Sequence, residues 1–77
     1  MLKYIILDDM NETPILFPLW IEHERMASKF SPNPLSAGFV EITEGKVIVS
    51  PRKSVSLKLG PRPQDTALIE AAIKFQV

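Results

Sequence analysis

Val40-Glu41-Ile42-Thr43-Glu44-Gly45-Lys46-Val47-Ile48-Val49 decides the fold of this chain. Val40 and Ile42, then Val47 and Val49, recur at the two-residue period of a strand with one face in a core. Between them Glu44-Gly45 is a two-residue turn, and Gly45 can adopt the positive φ that a tight hairpin needs. Such a turn sets Thr43 opposite Lys46, Ile42 opposite Val47 and Val40 opposite Val49. A slip of one residue would send the apolar set to the other face. Further on, Val55-x-Leu57-x-Leu59 repeats the period after Pro51-Arg52-Lys53. A second turn there predicts a third meander strand, with Val49 opposite Val55 and Val47 opposite Leu57.

Working outward, Lys3 to Leu7 is apolar on both faces and reads as a central strand. Ile15-Leu16-Phe17 reads as a short edge strand, because Pro14 and Pro18 cannot donate ladder hydrogen bonds. From Leu19 the period becomes helical: Leu19, His23, Met26, Ala27 and Phe30 share a face, and Ser31-Pro32-Asn33-Pro34 ends the element. Phe17 is a poor cap, so the start is expected a residue or two after Pro18. Pro63, Asp65 and Lys74 mark the start and end of a second helix, with Leu68, Ile69, Ala72, Ile73 and Phe75 apolar. The expectation is one α+β domain over residues 1–77, in the order β-β-α-β-β-β-α. It would hold a small antiparallel or mixed sheet of about five strands, with two helices on one face.

With 77 residues and no cysteine, disulfides, thiolate metal sites and cysteine nucleophiles are excluded together. The apolar run Leu2 to Leu7 is short for a signal peptide and meets Asp8-Asp9, which with the lack of cysteine points to the cytoplasm. No apolar run reaches membrane-spanning length, so no membrane partner is expected. Net charge is zero but unevenly spread. Residues 1–44 hold seven acids and three bases, whereas residues 45–77 hold six bases and two acids.

Chemistry-bearing patterns are sparse. His23 is the single histidine; Glu22 and Glu24 are its chain neighbours and on a helix would point elsewhere. A partly buried histidine bonded to a neighbouring group is the expected reading, ahead of a catalytic acid or base. Asp8, Asp9, Asn11 and Glu12 make an oxygen-rich loop without the glycine and closing glutamate of a calcium loop. The three glycines are isolated, so no phosphate-cradling loop exists, and no serine lies in a nucleophile elbow. No catalytic residue, cofactor or metal is therefore expected.

Two readings from different classes stand. In the first, Phe39 and Ile48 lie on the sheet face away from the helices and, with Trp20 as an aromatic anchor, form a protein-interaction surface. The chain would then be a non-enzymatic interaction module, self-associating as a homodimer or docking another protein through the outer sheet face or an edge strand. In the second, Lys46, Arg52, Lys53, Lys58 and Arg62 contact the phosphates of a nucleic acid. The meander would set Lys46 opposite Lys58, a repulsive pair unless an acidic group answers it. No aromatic residue lies between Gly45 and Arg62 to stack on a base, which favours the first reading. In size, lack of cysteine and lack of catalytic motifs the chain resembles small accessory proteins of bacteria and their phages.

Overall fold

The hairpin stands in the register its turn dictates: Thr43 opposite Lys46, Ile42 opposite Val47, Val40 opposite Val49. Glu44 and Gly45 have φ of 52° and 78°, the two positive values of a type I′ turn, whose twist matches the flanking strands. The structure is a computed structural model that describes residues 1–30 and 33–74. In chain order it comprises β1 (Leu2–Ile6), β2 (Pro14–Phe17), α1 (His23–Ala27), β3 (Ser36–Thr43), β4 (Lys46–Val49) and α2 (Asp65–Lys74). The strands form one antiparallel sheet in the order β2-β1-β3-β4. The α+β class holds, with four strands among the described residues rather than the expected five.

Strand β1 is central, as its two-sided apolar character requires. Tyr4 and Ile6 enter one core with Val40, Val47 and Ile69. Ile5, between them in sequence, enters another with Phe17, Ala27 and Ala37. Successive strand residues point to opposite faces, so the sheet has a core on each side. Helix α2 covers the first face through Leu68, Ile69 and Ile73. Helix α1, through Met26 and Ala27, covers the second together with Ile21, Leu57 and Leu59. The expectation of both helices on one face is thus overturned. A strand as apolar on both sides as β1 demands cover on both.

The third meander strand is absent. Ser54 and Leu59 close a local turn, Ser54 N–H donating to Leu59 O at 2.7 Å. Ser54 Oγ accepts from Leu57 N at 3.3 Å, and Lys58 has φ +57°, outside any strand. Side-chain capture of the local backbone competes with sheet pairing, and here it wins. The alternation of Val55, Leu57 and Leu59 is that of a turn that leaves Val55 89% exposed and sends both leucines under the α1 face. The pairs Val49–Val55 and Val47–Leu57 do not form, and the order is β-β-α-β-β-α.

Helix α1 is shorter than the pattern from Leu19 predicts. Leu19 and Trp20 lie in a turn closed by Ile21 N–H donating to Pro18 O at 3.2 Å, and Glu22 precedes the helix with extended backbone and no side-chain cap. A five-residue helix is too short to be stable alone, so it rests on buried His23 and Ala27. At the other end of the chain α2 begins as its signals predict; Phe75 lies outside the described residues, as do Ser31 and Pro32.

Candidate functional site

The surface with the most varied chemistry lies on the α1 face. Lys3 from β1, Phe39 from β3, Glu22 and His23 from α1 and its entry, and Arg52, Val55 and Ser56 from the loop after β4 line an open hollow of about 510 Å³ with Leu19. Glu22 also borders a neighbouring hollow of about 690 Å³, which Trp20, Ile21, Glu24, Arg25 and Ser28 complete.

His23 is held rather than poised. It is buried, and its ring meets Phe17 and Phe39 edge-on at centroid distances of 5.6 and 5.2 Å. Nε2 lies 2.8 Å from Gly38 O; a carbonyl only accepts, so Nε2 carries the proton and donates. Burial pulls the imidazole below its usual pKa, the charge of Lys3 adds to this, and the Gly38 carbonyl opposes it in part. Lys3 Nζ itself donates to Ile21 O at 3.0 Å. No carboxylate or hydroxyl bonds to the imidazole among the described residues, so its geometry is that of a packed core histidine.

The expected outer face free of helices does not form: Phe39 and Ile48 lie opposite α2 but on the face that α1 covers, and they differ in exposure. Arg52 stacks its guanidinium 4.4 Å above the Phe39 ring and, with His23 beside it, leaves Phe39 buried. Ile48 is 50% exposed and Trp20 is 84% exposed. Leu19 and Val55 join them as exposed apolar residues. The sequence period puts Leu19 on a helix face and Val55 in a strand, whereas both stand in turns that leave them exposed.

The basic residues do not gather as the meander would have arranged them. Lys46 faces Thr43 across the hairpin, while Lys58 sits in the 54–59 turn, so they are not a cross-strand pair. The stem of Lys53 packs against Gly60. Arg62 is engaged: Nη2 donates to Glu12 at 2.9 Å and Nε to Asp65 at 3.1 Å. Partial burial weakens its hold on a proton, but the hydrogen bonds and charges of Glu12 and Asp65 outweigh that and hold it above its usual range.

The oxygen-rich loop is closed on itself. Asp9 accepts from Thr13 N and Oγ1 at 2.8 and 2.6 Å, which lowers its pKa, and Asp8 is exposed. Among the described residues no three His, Asp or Glu side chains gather as a metal site requires. No described helix is long and apolar enough to cross a membrane. Comparison with known families, curated proteins and solved structures finds no match to this chain.

Proposed function

We propose that the chain is a non-enzymatic interaction module that acts by self-association. The observation that carries this reading is the apolar surface left in water: Trp20, Val55 and Ile48 at 84%, 89% and 50% exposure, in a domain of 77 residues. Large apolar side chains left exposed on a small fold favour association, because removing them from water contributes roughly 25 cal/mol per Å². Enclosure of His23 between two aromatic rings supports a structural rather than catalytic role for that residue. Light scattering over a concentration series tests the reading. A mass rising from that of one chain towards two supports it, and a mass that stays at one chain at the highest attainable concentration overturns it.

A further inference from the structure

We infer that two copies pair through the outer edge of β4, in an antiparallel register that sets Ile48 opposite Ile48 of the second copy. This deepens the self-association reading and rests on it. Because residues 54–59 form a turn instead of a fifth strand, β4 ends the sheet. Ser50 N–H donates to Phe39 O at 2.9 Å, which fixes the alternation along the hairpin. Phe39–Ser50, Glu41–Ile48 and Thr43–Lys46 are then the hydrogen-bonded pairs. Val40–Val49 and Ile42–Val47 are the pairs whose main-chain groups point away from each other. The N–H and C=O of Val47 and Val49 therefore point out of the sheet, and none of them takes part in a hydrogen bond outside the ladder among the described residues.

The two edges of the sheet are not equally protected. Strand β2 begins at Pro14 and is followed by Pro18, and prolines blunt an edge. On β4 the one charge, Lys46, stands at the turn end, and the middle of the edge presents Ile48 without proline, charge or bulge.

Self-complementarity chooses the occupant and the register. With Ile48 on the two-fold axis, Val47 pairs with Val49 of the second copy in both directions, giving four main-chain hydrogen bonds. Ile48 meets its own copy in a non-hydrogen-bonded pair, where side chains are closest, and Lys46 faces Ser50 rather than another lysine. Moving the axis to Val47 would set Ile48 against Lys46. Moving it to Val49 would set Val47 against Pro51, which has no N–H to donate. So short a seam falls below the roughly 1,200 Å² of stable interfaces, and the dimer is expected to form and dissociate with concentration.

The chain has no cysteine, so single-cysteine variants read the register directly. Across a non-hydrogen-bonded pair the Cα atoms are about 4.5 Å apart, within the span of a disulfide. Ile48→Cys and Trp20→Cys are oxidised under mild conditions at a concentration where the native chain is dimeric. Ile48→Cys is expected to cross-link at least about ten-fold faster than Trp20→Cys. In parallel, Ile48→Lys, a change at an exposed position, is expected to keep the native circular dichroism and scatter as one chain. A dimer that survives Ile48→Lys, or that cross-links through Trp20→Cys instead, overturns the edge pairing while leaving self-association standing. A native chain that never exceeds the mass of one copy overturns both.

Discussion

Tyr4 Oη donates to Asp65 Oδ2 at 2.7 Å, joining the first strand to the first turn of the last helix across 61 positions of chain. Both side chains are fully buried. The same carboxylate accepts from Arg62 N at 2.9 Å through Oδ2 and from Arg62 Nε at 3.1 Å through Oδ1. The backbone contact resembles half of a capping box, with Arg62 before Pro63 and Asp65 reaching back to it. Opposite Tyr4 on β3 stands Gly38, where a Cβ would lie 3.1 Å from the tyrosine ring. Glycine at that position lets the ring lie against the strand.

Tyr4→Phe removes one of the partners of a buried carboxylate. Arg62 still donates to both carboxylate oxygens, so the expected loss is that of one buried hydrogen bond to a charged group, about 1–3 kcal/mol, and the melting temperature should fall by roughly 5–20 °C. Thermal unfolding followed by circular dichroism measures it; an unchanged midpoint would show that the bond contributes nothing.

Alkaline pH probes the same contact. Burial first, and then the hydrogen bond and charge of Asp65, raise the Tyr4 phenol well above its ordinary value. A group whose folded pKa is raised contributes stability that is complete below its unfolded pKa of about 10 and is lost as pH climbs beyond it. Tyr4 is the single tyrosine, so its absorbance reports it alone. Ionisation should coincide with unfolding, and a phenol that titrates near its ordinary value in the folded state would contradict the geometry.

The single histidine gives the acid counterpart. With the His23 pKa lowered by burial, the unfolded chain takes up a proton before the folded one does. Stability is full above the unfolded pKa of about 6.5 and falls as pH drops from there towards the folded value. His23→Gln should flatten that part of the stability profile measured by urea unfolding between neutral and mildly acid pH. Proton resonance of the imidazole should show a midpoint below the ordinary one.

A pair of aspartates separates the two strands that the sequence equated. Val47 is 7% exposed and Val55 is 89% exposed. Val47→Asp buries an unpaired charge, a cost of several kcal/mol comparable with the whole stability of a domain this small, and should unfold it. Val55→Asp should melt within a few degrees of the native chain. Similar losses in the two variants would restore the third strand.

The turn offers a stabilising change. Glu44 holds a left-handed φ of 52° that asparagine adopts more readily. Glu44→Asn should raise stability by about 0.5–1 kcal/mol without altering the spectrum of the folded state. A lower melting temperature would mean that the glutamate side chain contributes something the backbone does not.

Local constraints made part of this fold legible. The Glu44-Gly45 turn and the matching valines set the hairpin register within ten residues of chain, and apolar residues on both sides of Lys3–Leu7 placed β1 inside the sheet. Pro14 and Pro18 put β2 at an edge, and Pro63 with Asp65 started α2. Each of these follows from φ, from a missing N–H or from the period of neighbouring residues. The fate of residues 54–59 does not. Alternation over five residues suits a strand and a turn equally, and the outcome depended on Ser54 bonding its own segment and on room beneath the α1 face for Leu57 and Leu59. Trp20, the expected aromatic anchor, owes its exposure to a turn where the period predicts helix, and Asp65 reads as a helix-start residue until Tyr4 reaches it. Which face a helix covers, and which edge stays open, is settled by contacts between segments far apart in the chain. Sequence period records that a residue must be covered, and only the folded chain decides by what.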